Sequence, residues 1–471
     1  MNPFSYNSPF LKACRLLLCF VVYYFLQSIY KKGFMDIISN PVFISVILMC
    51  ILCLLKINIL IAIMVSAVVA GTMSGFELNK TMDLLINGMG GQTNTALSYI
   101  LLGGLAVAIA QTGLATILSN KLERIVGKKA KIFLLILAAV ACLSQNLIPV
   151  HIAFIPILIP PLLSMMNDLK LDRRAAACSL TFGLKAPYVA LPVGFGLIFH
   201  GVIADNIKLN GLHVETLDVW KYVMIPALSM VAGLLVAIFI TYRKPRDYQH
   251  LPITVKQDTE QTVTDKFTLQ HLGAALGAIS AFAIQLMTGS LPLGALIGLT
   301  IMVCFKAILL NEQDNIIFEG IRMMGFIAFV MLVASGFGNV LRETGGVDSI
   351  VQASTALVGG SQFFGALVML LIGLIVTMGI GTSFGTIPII ATIYVPFSAA
   401  LGLSVGATVM LIAVAGALGD AGSPASDSTL GPTAGLNADG QHDHIWDTCV
   451  PTFIHYNIPL IIAGLIAAMF L

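Results

Sequence analysis

Apolar runs about as long as a bilayer is thick recur along this chain, and they leave little choice of fold. "ILMCILCLLK" (47–56), "IFLLILAAVACL" (132–143) and "VGATVMLIAVAGAL" (405–418) carry a single charge between them. A stretch of about 20 mainly apolar residues crosses a bilayer as a helix. The whole 471-residue chain is 58% hydrophobic and 10% charged, with a mean hydropathy of +0.94. Soluble domains carry roughly 25% charged residues. The chain therefore reads as a helical protein that spans a membrane many times.

A net charge of +2 implies no nucleic-acid partner, because the basic residues sit in short loops between apolar runs. All cysteines but Cys449 lie in apolar stretches. Cys50 and Cys53 form a CxxC that reads as packed or lipid-facing thiols, since no zinc spacing or disulfide framework accompanies it.

One long polar stretch, 243–266, divides the membrane part and reads as a solvated linker within 243–268. An internal repeat relates the two sides. A shift of 232 positions takes "LLING" (84–88) onto "IIFEG" (316–320), Gln111-Thr112-Gly113 onto Glu343-Thr344-Gly345, and Ile155-Pro156 onto Ile387-Pro388. The expected units are 35–242 and 269–471. Residues 121–131, with five basic and one acidic residue, belong in the cytoplasm. So do Lys170, Arg173, Arg174, Arg243, Lys244 and Arg246, whereas 205–221 leans acidic and faces outside. Threading between these points gives an all-α polytopic membrane protein. It has two inverted repeats of about five spans plus a re-entrant hairpin each, with broken helices at the midplane, as in secondary transporters. Residues 1–34 read as an extra span or as a start placed too far upstream.

In hydrocarbon, non-helical backbone survives only where it is buried in protein or lines a cavity. Four stretches break the helical pattern: 144–156, 183–196, 379–388 and 419–435. The first and third read as hairpin tips, bearing Asn146 and His151 in one half and Thr382, Ser383 and Thr386 in the other. In 183–196 and 419–435, prolines 187 and 192, or 424 and 432, are expected to break a span. Ionisable residues inside such stretches cost free energy and mark ion or substrate paths. Asp420 and Asp427 are expected to flank the second break. Lys185 is expected in the first, facing a substrate carboxylate or forming an ion pair with Asp420 across the repeat interface. Glu343 reads as the capped end of a span, 438–447 as a solvated loop, and His455 as a packed histidine.

"GTSFGT" (381–386) resembles the Gly-Thr-Ser-Trp-Gly-Thr signature of the NhaC-type sodium/proton antiporter family, and "GDAGSPASDST" (419–429) resembles its Gly-Asp-x-x-Ser-Pro-x-Ser-Asp-Thr signature. The resemblance covers roughly residue 36 to the end, within the ion-transporter superfamily of inverted-repeat carriers. It implies ion coupling through Asp420, Ser423, Ser426 and Asp427, with Thr382, Ser383 and Thr386 closing the site. It further implies elevator-like motion and a homodimer. Phe384 stands where the signature has tryptophan, and Lys185 adds a fixed ammonium where a second cation would sit. The branch it resembles most is labelled as amino-acid permeases of the histidine type.

The expectation is a cation-coupled carrier of the inner membrane, with Na+ or H+ as coupling ion and no cofactor. Its alternative is a symporter in which Lys185, Asn146 and His151 hold an amino acid. A channel is the further option. No HExxH, P-loop or nucleophile–base arrangement suggests an enzyme or ATP-driven pump.

Overall fold

The computed structural model describes residues 38–55, 57–112, 130–146, 151–249, 268–424 and 426–471. All regular structure among them is helical. Residues 1–34 and the tip at 147–150 lie outside the described residues, as do the side chains of Asn146 and His151.

The first half opens with α1 (Pro41–Leu54) and α2 (Ile59–Met73), each started by an asparagine side chain that accepts a backbone N–H two residues on. Helix α3 (Leu78–Gly88) passes through a short 3₁₀ turn into α4 (Thr93–Gln111), and α5 (Ala130–Asn146), α6 (His151–Asp168), α7 (Arg173–Ala190), α8 (Phe195–Leu209) and α9 (Val219–Val236) follow. The second half holds α10 (Leu269–Thr288), α11 (Leu291–Cys304), α12 (Gln313–Glu343), α13 (Gly346–Leu357) and α14 (Gln362–Ile380). It continues with α15 (Ser383–Ala400), α16 (Val405–Ala417) and α17 (Asp427–Leu436), and a final span covers His444–Phe470.

The repeat is visible in where helices begin. Ile59 and Leu291, Arg173 and Val405, and Phe195 and Asp427 each open a helix, and each pair is 232 positions apart. Gln111 and Glu343, also 232 apart, each end one. Among the described residues, six helices are long and apolar enough to cross a membrane, seven if the bent pair α7–α8 counts as one more. Large apolar side chains such as Phe318, Ile240 and Phe470 point outward, as a lipid-facing surface requires.

Two packing groups meet near the middle. In one, α4 lies along α12, and a side chain at Gly320 would collide with the backbone of Gly104. In the other, α5, α7, α9, α16 and the final span pack together, and α12 touches this group through α15.

The helix breaks differ from the sequence expectation in one respect. Pro187 lies inside α7 and Pro432 inside α17, so neither interrupts its helix. The α7–α8 axis bends by 49° only at 191–194, where Gly194 adopts φ 59 and ψ −123, a conformation that side-chain-bearing residues rarely reach. Lys185 is thus on a continuous helix, one turn and more before the break. A proline loses only its own N–H bond, which a closely packed helix tolerates; reversing the sign of φ redirects the chain. In the second half the break spans 418–426 and contains Pro424 as expected.

Candidate functional site

The N-terminus of α15 delivers Thr382 and Ser383, the 418–426 break delivers Asp420 and Ser426, and Asp427 is the first residue of α17. The last two turns of α7 add Lys185 and Tyr188. Asp420 is 4% exposed, and both of its carboxylate oxygens are held. Oδ2 accepts from the Ser383 N–H (3.3 Å) and hydroxyl (2.5 Å) and from Tyr188 (3.4 Å), and forms an ion pair with Lys185 Nζ. Oδ1 accepts from the Ser426 hydroxyl. Lys185 also donates to the Tyr188 hydroxyl (2.9 Å), which lies 2.9 Å from Ser383 Oγ. The positive end of α15 faces Asp420 and adds to the same stabilisation.

Asp427 is arranged differently. No hydrogen bond or ion pair holds its carboxylate among the described residues, although it sits at the N-terminal end of α17, which favours negative charge. It opens, with Lys185, Asp420, Thr382, Ser426 and Ser428, onto a cavity of ≈ 50 Å³. A water needs at least about 10–15 Å³ by this measure, so the space suits an ion with a little water. Rings close the apolar side. Tyr99, Phe195, Phe384, Tyr188 and Phe199 stack edge to face at centroid spacings such as 4.9 Å (Phe195–Phe384) and 5.5 Å (Tyr99–Phe195).

The structure therefore brings Asp420, Asp427, Ser426, Thr382 and Lys185 to one cavity, with Ser383 directly behind Asp420. Thr386 and Ser423 are buried outside the cavity wall: Thr386 Oγ1 donates to the Thr382 carbonyl (3.0 Å) and Ser423 Oγ to the Met378 carbonyl (3.3 Å). They shape the backbone of the tip and the break. The Asn146 and His151 side chains, expected as substrate contacts, lie outside the described residues. Sequence reasoning missed Tyr188, yet a signal existed: it stands 232 positions before Asp420, its repeat mate.

The polar loop 438–447 is solvated only in part: Gly440, Asp443, Ile445 and Trp446 are exposed, whereas Ala438, Asp439, His442 and Asp447 are buried. His442 is 2% exposed and bonds Thr448 Oγ1 (2.7 Å), while His444 bonds Thr433 Oγ1 (2.8 Å). Burial pushes the His442 imidazole down to about 4, against the pull of Asp447. Arg173 holds Asp439 through two hydrogen bonds (2.7 and 2.5 Å), and Arg246 binds Asp447 at 2.9 Å. The linker thus starts as a docked segment, with Gln249 N–H donating to Gln441. His455 is packed as expected, bonded to the Pro451 carbonyl and Thr241 Oγ1.

Comparison with known proteins bears on the family and the fold. Residues 179–465 match the model of the Na+/H+ antiporter family, and residues 40–126 match a second one, the Na+-H+ antiporter family. An uncharacterised membrane protein of Vibrio parahaemolyticus is 50% identical over 444 residues, 92% of this chain and 100% of that one. YuiF of Bacillus subtilis, whose name assigns it provisionally to amino acid transport, is 47% identical over 448 residues with the same coverage. Among solved structures, the YdaH transporter of Alcanivorax borkumensis aligns with a TM-score of 0.59 at 13% identity, covering 83% of this chain and 88% of that one. MtrF of Neisseria gonorrhoeae, described as illuminating a class of antimetabolite efflux pumps, aligns at 0.56 and 16%, covering 84% and 85%. These two show the fold, that of inverted-repeat membrane transporters. The chain is a multi-pass membrane transporter, not an enzyme, and it belongs to the Na+/H+ antiporter family.

Proposed function

We propose that this carrier exchanges Na+ for H+ across its membrane, with Asp427 as the position both cations share. One observation carries the reading. The cavity holds two carboxylates and one ammonium, and the direct ion pair of Lys185 is with Asp420. That leaves one formal negative charge, on Asp427. Lys185 thus stands in for a second cation permanently. A charge at membrane depth costs about 2.5–3.5 kcal/mol even on lenient scales. The unloaded site therefore resists moving through the membrane, whereas a site neutralised by Na+ or H+ moves readily. A carrier that moves only when loaded, and accepts either cation at one carboxylate, exchanges them.

The experiment uses protein reconstituted in sealed vesicles with a pH-sensitive dye inside. An inward sodium gradient is expected to alkalinise the interior of wild-type vesicles, and Asp427→Asn is expected to abolish this. Proton movement that persists in Asp427→Asn would sink the assignment.

A second reading, cation-driven amino-acid uptake, is favoured by the name of YuiF and by the aromatic wall, which suits an organic ammonium. A cavity of ≈ 50 Å³ holds no amino acid in this conformation, so that reading requires the rings to part. Labelled histidine in the same vesicles separates the two: gradient-driven uptake supports the symporter, and sodium-driven proton movement without solute supports exchange.

A further inference from the structure

We propose that Tyr99 supplies a direct oxygen ligand to the transported cation, from the packing group opposite the one that carries the aspartates. This rests on the reading of Asp427 as the cation position.

The argument begins with an accounting of hydroxyls. Around the cavity, Tyr188 is bonded to Lys185 and Ser383, Ser426 to Asp420 and Ser428, and Ser428 to the Asp420 carbonyl. The half-buried Thr382 hydroxyl also lacks a partner among the described residues; of the buried hydroxyls on this wall, Tyr99 is the exception. It is 1% exposed, it lines the cavity, and its hydroxyl has no hydrogen-bond partner among the described residues. Buried hydroxyls without partners lose stability, so one beside a charged cavity calls for an occupant. Tyr99 and Asp427 line the same cavity of ≈ 50 Å³. The Tyr99 ring is wedged edge-on against Phe195 (5.5 Å) and Phe384 (5.8 Å), which fixes its direction.

Position gives the contact its consequence. Tyr99 belongs to α4, which packs along α12, and α12 adds Met324 and Ile327 to the same wall. The acids, Lys185 and Ser426 come from α7, the break and α17. A cation bound between Asp427 and Tyr99 bridges the two groups, and it loses one ligand whenever they separate. Tyr99 thereby links occupancy to the conformation of the carrier and sets how well each cation is held.

Thermal unfolding of the purified protein, in NaCl titrated against choline chloride at constant ionic strength, tests this. The variants are Asp427→Asn, Tyr99→Phe and, as a control, Gln92→Leu, which removes another buried, unpartnered polar group of the same region that is not on the cavity wall. Tyr99→Phe is expected to unfold no earlier than wild type without sodium, because it discards an unpartnered hydroxyl. Its sodium midpoint is expected to rise about tenfold, the value of one hydrogen-bond-strength contact to a charge. In vesicles its KM for sodium should rise while kcat changes little, and Gln92→Leu should keep the wild-type midpoint. An unchanged midpoint in Tyr99→Phe, while Asp427→Asn loses its sodium response, overturns the proposal and leaves the Asp427 reading intact. An equal shift in Gln92→Leu also overturns it, assigning the effect to helix packing. Wild-type protein indifferent to sodium and pH alike overturns both.

Discussion

Removing the fixed ammonium makes a quantitative demand on this site. Lys185 and Asp420 form an ion pair with side chains only 6% exposed each. Breaking such a pair from one side costs about 3–5 kcal/mol, because the remaining charge stays buried. The two sides are unequal here. In Lys185→Met, Asp420 keeps the Ser383 N–H, the Ser383 and Ser426 hydroxyls and Tyr188 as donors, so the loss falls near the lower end, about 3 kcal/mol. In Asp420→Asn, the Lys185 ammonium keeps Tyr188 as its one hydrogen-bond acceptor, with Asp427 as a counter-charge only across the cavity, so the loss falls near about 5 kcal/mol. An unfolding entropy of about 2.1 cal/mol/K per residue gives about 1 kcal/mol/K for this chain, hence drops of about 3 and 5 °C in Tm. The double variant Lys185→Met with Asp420→Asn leaves no unpaired charge in that pair and should recover at least half of the larger loss. Lys185→Met alone raises the cavity charge to two negatives, so sodium should stabilise it more steeply than wild type. Differential scanning fluorimetry at one scan rate, with and without sodium, measures all of this. Single variants as stable as wild type, or a double variant no better than the worse single one, would refute the energetic pairing on which the charge count of the cavity depends.

Two further outcomes follow from the end of the protein that holds Arg173 and His442. Asp439→Asn leaves Arg173, 0% exposed, without its charged partner and should cost about 3 kcal/mol in unfolding measurements, with Arg173→Met/Asp439→Leu recovering much of it. His442 has a folded value of about 4, below its ordinary 6.5, so the unfolded chain binds the proton more readily. Its contribution, on the order of a few kcal/mol, is present above pH 6.5 and is lost as pH falls toward 4. A pH series of melts should show this acid loss reduced in His442→Gln; an identical slope in both proteins would contradict it.

The apolar runs and the shift of 232 were enough to anticipate an all-helical membrane fold built on a repeat, because both depend on local hydrophobicity and on spacing that survives in the sequence. Asp420 and Asp427 were legible for a different reason: acids amid apolar spans are costly unless they serve a purpose. Pro187 misled, since a proline reports only its own missing bond, while the bend is made at Gly194. The buried part of the loop 438–447 misled because polar composition does not reveal that His442, Thr448, Thr433 and His444 satisfy one another. Tyr99 was illegible altogether. A tyrosine in an apolar span looks like core, and its significance comes from residues more than 80 positions away that leave its hydroxyl unpartnered.

The repeat also bears on why both acids of the described cavity come from the second half. Strict symmetry would place a second pair of acids opposite Asp420 and Asp427, leaving four buried negative charges at mid-depth. The first half instead carries Tyr188 opposite Asp420 and Phe195 opposite Asp427, both 232 positions upstream. Tyr188 turns its hydroxyl toward its own repeat mate, and Phe195 closes the wall beside the other acid. Lys185 is matched by Ala417, so the ammonium has no counterpart either. Each departure from symmetry removes negative charge or neutralises it, and the sum stops at one. A residue of one charge is the amount a single monovalent cation cancels, so the exchange proposed here predicts one cation per cycle in each direction.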